Sequence, residues 1–356
     1  MADRKPVTVH YRKFDRPSGV THSLEELLRA ALNTLDPSAG HGVRLKDRYV
    51  SRLQTVGSDN LFINLCIDQT QDTSYVMGDV LHFTKGRLQA LCKTADPNAA
   101  LVQVQQMPPP DQSEYVHSQM FWLIKGDHVF VIQSISLQTE QLEAYLKWFL
   151  STKTSQLAAH CPFILAAKFD AGTVGGDLAD IQQITLGGVV SKPVVSDVAE
   201  SEQPATFTER VTETTDHSSI NTTRSTGINV ARAVLGPLLG GDASVDRLLQ
   251  AVPEDAELKV QVHIGFATKK RKVDRVALRE LETGLRNLPD SQLEVVAKGQ
   301  KIGVDGSVRL HYNASVKLIK SQVGDSQIIG SLLDPIDVKR ALEEAYNNFV
   351  SNGKIK

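Results

Sequence analysis

The run YVHSQMFWLIKGDHVFVIQSI, Tyr115 to Ile135, restricts this chain more than any other part of it. Two stretches of β-branched and aromatic residues flank Lys125-Gly126-Asp127-His128, and glycine at such a junction lets the backbone reverse. The pattern predicts a β-hairpin. An isolated hairpin is marginal in water, so further strands or a helix must cover it.

The flanking sequence offers both. PVTVHYRKF alternates as an opening strand, and SLEELLRAALNTL follows as a helix. Ser23 is its N-cap, with Glu26 three residues later at capping-box spacing. RYVSRLQTV and NLFINLCI read as two strands parted by Gly57-Ser58-Asp59-Asn60, and KGRLQALCKT as a short helix. MPPPDQS stops any element, because proline fixes its backbone angle and lacks a donor. TEQLEAYLKWFL predicts a helix capped by Thr139, with Leu142, Tyr145, Leu146 and Phe149 on its apolar side. Residues 1–155 thus form an N-terminal α+β domain, paired mainly antiparallel.

Residues 156–226 are expected to hold connecting strands and then a linker or extended arm. From Ser191 to Thr226 the chain is rich in Ser, Thr, Glu and Asp. Such composition suits a flexible linker, whereas the alternation in ATFTERVTET suits an extended arm or solvated hairpin.

Residues 227–356 predict a basic C-terminal α+β domain of order β-α-β-β-α. LKVQVHIGF alternates, with Lys259, Gln261 and His263 on its polar face. A helix from Val273 to about Leu288 buries Val273, Val276, Ala277, Leu281 and Leu288 and presents Arg275, Arg279 and Arg286 together. LEVVAK and GSVRLHYNASVKLIKS are the next strands. The latter turns Val308, Leu310, Tyr312, Ala314 and Val316 inward and Arg309, His311, Asn313, Ser315 and Lys317 outward. DPIDVKRALEEAYNNFVSNG closes as a helix with Asp334 as cap, Pro335 in the first turn and Gly353 as its stop. The fold class is α+β, with two α+β domains and mostly antiparallel sheets. Both C-terminal helices are expected on one sheet face, leaving Lys259, His263, Arg309, His311 and Lys317 on the other.

Charge is unevenly spread. The formal net charge is −2, yet thirteen basic and six acidic residues lie between Lys259 and Lys320, an excess of seven that leaves −9 elsewhere. A polyanion-binding module on an acidic body has this distribution; a solvated face is the alternative. Within the segment Lys269, Lys270, Arg271 and Lys272 run straight into the predicted helix. The composition fits a nuclear address tag, but a strand-to-helix turn adds free N–H groups and a positive dipole end, which favours a lip of phosphate contacts. Lys269, Lys270, Arg271, Lys272, Arg275, Arg279, Arg309 and Lys317 are therefore the candidate DNA contacts.

Catalytic patterns are sparse. AGTVGGD lacks the lysine and strand–helix setting of a phosphate loop, and no HExxH or GxSxG occurs. PDSQLEVVAK, ELK at Glu257–Lys259 and DVK at Asp337–Lys339 approach a metal-nuclease triplet without matching its spacing or setting. Cys66, Cys92 and Cys161 form no CxxC pair and no zinc spacing. No catalytic residue, metal or cofactor is expected. A divergent metal-dependent nuclease and a protein-interaction scaffold remain the alternatives. No apolar run is long enough to cross a membrane, and no signal-peptide core opens the chain, so a cytoplasmic protein without direct membrane insertion is expected.

The C-terminal pieces STGINVARAVLGPLLGG, LKVQVHIGFATKKRKVDRVALREL and VVAKGQKIGVDG, with the closing amphipathic helix, resemble the RexA-like superinfection-exclusion proteins of lambdoid prophages. VHYRKF, NLFINL and FWLIKGDHVF followed by a Thr-led helix stand in corresponding order. The resemblance implies sequence-nonspecific binding of double-stranded DNA, a homodimer, phage exclusion by abortive infection in a bacterial host, and a separate membrane-protein effector.

Overall fold

The computed structural model describes residues 3–39, 42–70, 74–93, 103–134, 136–170, 181–191, 257–265, 293–297, 300–302, 308–323 and 326–356. The N-terminal part contains β1 (Arg4–Phe14), α1 (Leu24–Asn33), β2 (Gln54–Val56), β3 (Asp59–Gln69), β4 (Tyr75–Thr84), β5 (Gln89–Lys93) and β6 (Gln103–Met107). Next come β7 (Val116–Lys125), β8 (His128–Ile132), α2 (Thr139–Lys147) and β9 (Leu165–Ala166). Beyond these lie β10 (Ile181–Ser191), β11 (Glu257–Gly265), β12 (Leu293–Ala297), β13 (Gln300–Ile302), β14 (His311–Val323), β15 (Ser326–Leu333) and α3 (Pro335–Ser351). The fold is α+β with antiparallel ladders throughout the described residues.

One nine-stranded sheet runs β15-β14-β1-β8-β7-β4-β3-β2, with β9 against β1. This departs from the expected division at residue 227. The β14–β15 hairpin and α3 belong to the sheet of the N-terminal strands, and β1 lies between β14 and β8, with Arg4 opposite Lys317 and Tyr11 opposite Phe130. β11 pairs instead with β10 in a separate sheet of order β11-β10-β12-β13. The expected β-α-β-β-α module is thus distributed over two sheets; its first helix, Val273–Leu288, lies outside the described residues.

Alternation sorts the core. Met120, Trp122 and Ile124 of β7 pack with Leu24, Leu28, Leu142 and Tyr145 of α1 and α2. Their neighbours Phe121 and Leu123 pack with Val338, Leu342 and Phe349 of α3 on the other face. Successive side chains of a strand point to opposite faces, so β7 is buried on both and reads as the unbroken apolar run MFWLI. Helices therefore cover both faces of this sheet, α1 and α2 on one and α3 on the other; the expectation that the two C-terminal helices share a face involves Val273–Leu288, outside the described residues.

Local chemistry explains the element ends. Ser23 and Glu26 form the expected reciprocal capping box, with the Ser23 N–H donating to Glu26 Oε2 at 2.7 Å. Asp334 caps α3, Pro335 occupies its first turn, and Gly353 with φ of 65° ends it. The β7–β8 turn closes Lys125 onto His128 with positive φ only at Gly126, the requirement of a type II′ turn. β6 ends at Met107, where the prolines begin.

Three local expectations change. KGRLQALCKT does not form a helix: Gln89–Lys93 is β5, paired with β6. Its short amphipathic pattern serves either period, and the partner strand decides. RYVSRLQTV is not a continuous strand; Tyr49–Arg52 is a 3₁₀ turn before β2. The buried Arg52 guanidinium holds that turn by donating to Leu45 O at 2.9 Å and Ile63 O at 2.8 Å. The cap of α2 is Gln138, one residue before Thr139, in a box with Gln141.

A bulge in β3 follows. Register with β4 shifts between Ile63 and Cys66, so two residues oppose Asp79. The spare Leu65 N–H donates to the buried Asp79 carboxylate at 2.6 Å, which also accepts from Gln119 Nε2 at 2.6 Å. The bulge also transfers the inward parity from Ile63 to Cys66.

Candidate functional site

Of the expected DNA contacts, only Arg309 and Lys317 lie among the described residues. Lys269, Lys270, Arg271, Lys272, Arg275 and Arg279 lie outside the described residues. Arg309 is a correction: it is 2% exposed, bridged to Phe169, and sits where Val308 O accepts from the Asp170 N–H at 2.8 Å and the Leu310 N–H donates to Lys168 O at 2.7 Å. The 168–170 segment pairs alongside this stretch, and the Arg309 side chain is buried rather than offered to a duplex. Lys317 is exposed opposite Arg4, on the sheet face away from α3. Lys259 and His263, expected beside it, belong to β11 in the other sheet.

The acidic residues nearest to a nuclease pattern have other tasks or settings. Asp337 lies on α3, where its carboxylate accepts the Lys317 N–H at 2.8 Å and pairs with Arg4 at 3.1 Å and Arg340 at 2.7 Å. Glu257 opens β11. Among the described residues no three His, Cys, Asp or Glu side chains gather as a metal site. Burial pushes the Cys66 thiol up to about 11, so it stays protonated at neutral pH. No helix among the described residues is long and apolar enough to cross a membrane.

The described residues do assemble a basic cleft that no local motif announces. Its volume is about 430 Å³, and Lys13, Lys168, Lys354 and Lys356 line it together with Tyr11 and His128. Tyr11 and Lys13 share a face of β1 through the two-residue period, and His128 opens β8. Lys168 follows β9. Lys354 and Lys356 arrive on the tail after Gly353, held by buried Ile355 and by the Lys354 N–H donating to Phe349 O at 2.8 Å. Lys168 Nζ donates to Lys354 O at 2.5 Å, and Lys354 pairs with Asp170 at 2.7 Å. Four separate chain segments contribute, so only the alternation of β1 could have hinted at any of it.

A polar chain forms one wall. His128 Nε2 lies 2.9 Å from Lys356 O, an acceptor only, so Nε2 carries the ring proton of the neutral imidazole. His128 Nδ1 is then the acceptor for the Tyr11 hydroxyl at 2.8 Å. Burial raises the Tyr11 phenol well above its ordinary value, with the Asp127 charge adding to the effect. Burial likewise lowers His128, and the nearby Lys13 and Lys168 ammoniums lower it further.

This wall has a consequence for pH dependence. Burial also lowers His117, so both imidazoles bind protons less readily folded than unfolded. The unfolded chain then takes up more protons as pH falls, and stability drops with it. The stability from His128 and His117 is present above the ordinary histidine range and is lost as pH falls through their lowered values. Asp36 is held down to about 2 by hydrogen bonds from Ser51 and Ser38, so its contribution disappears only in stronger acid. Calorimetric melting is therefore expected to fall in two stages, first between about pH 7 and 5 and again below about pH 4. His128→Gln should flatten the first stage; an unchanged slope in that variant would remove His128 from the effect.

Compared with known proteins, the chain matches no family model and no curated protein.

Proposed function

We propose that this protein binds double-stranded DNA through its phosphates, without reading base sequence, and acts as a dimer in the exclusion of superinfecting phage. The observation that carries DNA binding is the segregation of charge: an excess of seven positive residues in Lys259–Lys320 against −9 elsewhere. The phage-exclusion role and its separate membrane effector rest on the RexA-like resemblance. The lip at Lys269–Lys272, with Arg275 and Arg279, is proposed as the principal contact, and exposed Lys317 as a secondary one. Arg309, buried, is dropped from the interface.

Gel shifts with unrelated duplexes over a range of salt concentrations test this reading. Affinity should be alike for all sequences, and each phosphate contact should contribute about 0.9 to the log–log salt slope. Replacing Lys269, Lys270, Arg271 and Lys272 with Gln should flatten that slope by as much as about 3–4 and leave the melting temperature nearly unchanged. A preference of about a thousandfold for one duplex would sink the nonspecific reading. Magnesium- or manganese-dependent cleavage, lost on replacing Glu257 or Asp337, would replace it with the nuclease. Light scattering reads the dimer.

A further inference from the structure

We propose that the cleft formed by Tyr11, Lys13, His128, Lys168, Lys354 and Lys356 binds a terminal phosphomonoester, either of a free nucleotide or of a nucleic-acid 5′ end. None of these residues belongs to Lys259–Lys320, so the site stands apart from the proposed duplex-binding surface.

The chemistry of the lining selects the ligand. Four lysines and one aspartate, Asp15, line the same concave space, and Asp170 pairs with Lys354 beside it, which leaves the lining net positive. Bringing ammonium groups together raises the local potential and draws a counter-anion, most strongly where protein walls limit screening. All four cations are lysines, whose ammonium groups hold phosphate oxygens as compact point charges. The volume of about 430 Å³ is ample for more than a phosphate and lies within the range of small-molecule sites. Ala166, Ala167 and Ile355 supply the apolar wall that the remainder of a nucleotide would need.

The site is also organised in advance. The Tyr11–His128–Lys356 chain fixes the imidazole and ties the C-terminal tail to the start of β8. The Lys354–Asp170 pair and the Lys168 bond to Lys354 O hold the other side. His128 adds a means of detection. The charged groups around it are Lys13 on its neighbour β1, Asp127 in its own hairpin, and Lys168 after β9. A bound dianion beside this ring favours its protonated form, so the imidazole should titrate higher when the cleft is filled.

The test uses the full chain at constant ionic strength with inorganic phosphate, adenosine 5′-monophosphate and adenosine as probes. Blunt duplexes with and without 5′ phosphates complete the set. Calorimetry should show the monophosphate binding at least about tenfold more tightly than adenosine, and Lys13→Gln with Lys168→Gln should reduce that binding by about tenfold or more. Should the double variant lose stability, Lys13→Glu alone provides the same reading from an exposed position. NMR titration of His128 should move upward on adding the monophosphate. Tighter binding of the 5′-phosphorylated duplex assigns the site to nucleic-acid ends; equal duplex affinities with monophosphate binding assign it to free nucleotides. Equal binding of adenosine and its monophosphate, or response to inorganic phosphate alone, overturns the proposal. So does a Lys13→Glu protein that binds as well as the parent. The unphosphorylated duplex should bind both proteins alike, which separates failure here from failure of the duplex-binding reading.

Discussion

A chain cut after residue 155 will not fold to a native state. Such a piece would hold β1 through α2, the expected N-terminal domain, but β1 would lose β14 along Arg4–His10. The sheet face bearing Val9, Tyr11, Tyr75, Met77, Phe121, Leu123, Phe130 and Ile132 would lose α3 as its cover. The missing partners include Leu310, Val316, Val338, Leu342, Phe349 and Ile355, all buried. Each such side chain contributes about 1.5–3 kcal/mol on burial. Several together match the whole net stability of a domain, about 5–15 kcal/mol. The uncovered face is also a large apolar patch that promotes aggregation. Near-ultraviolet circular dichroism and thermal melting of the shortened chain should show neither fixed tertiary packing nor a cooperative transition. A sharp melt with native near-ultraviolet signal would mean that the N-terminal part is an independent domain after all.

Substitution at Gly78 should be almost as severe. Gly78 sits inside β4, directly opposite Trp122 of β7 and Cys66 of β3. A Cβ there would lie 2.4 Å from Leu65 O and 2.6 Å from Trp122 Cζ2. The first obstacle is backbone held at the β3 bulge, and the second is a fully buried indole, so neither yields readily. Gly78→Ala should therefore cost about 3 kcal/mol, the upper end for overpacking, and Gly78→Val should abolish the cooperative melt. Gly330→Ala is the control: its Cβ would meet Ile319 O at 3.2 Å, which a small shift relieves. Trp122→Leu should partly rescue Gly78→Ala, giving a double variant less impaired than the sum of the two. An unchanged melting temperature in Gly78→Ala would show that the indole moves aside freely.

The elements most legible in sequence were those whose signal is local. Ser23 and Glu26 lie within one helical turn of each other, as do Asp334 and Pro335, so caps and first turns could be placed from neighbours alone. The β7–β8 hairpin needed only Gly126 between two apolar runs. The strand β4 was missed because Gly78 and Asp79 break its apolar pattern. Both are there for neighbouring strands: Gly78 makes room for Trp122, and Asp79 satisfies the Leu65 N–H of the bulge. Arg309 was misread for a similar reason. It alternates with Val308 and Leu310 in sequence, yet all three are buried where the Lys168–Asp170 segment pairs alongside, a long-range pairing that local alternation does not reveal.

By itself, the sequence determined the capped helices and the β7–β8 hairpin and where they stop, because periodicity, capping and turn chemistry act between residues a few positions apart. It also determined the concentration of positive charge in Lys259–Lys320. Only the tertiary structure decided that β14 would lie beside β1 and that α3 would cover the face opposite α1 and α2. Every antiparallel strand edge offers the same N–H and C=O groups, so hydrogen bonding alone does not choose Lys317 as the partner of Arg4. That choice comes from burying two apolar sheet faces at once, a condition on the whole chain. The same condition brings Lys13, His128, Lys168 and the C-terminal tail into one cleft.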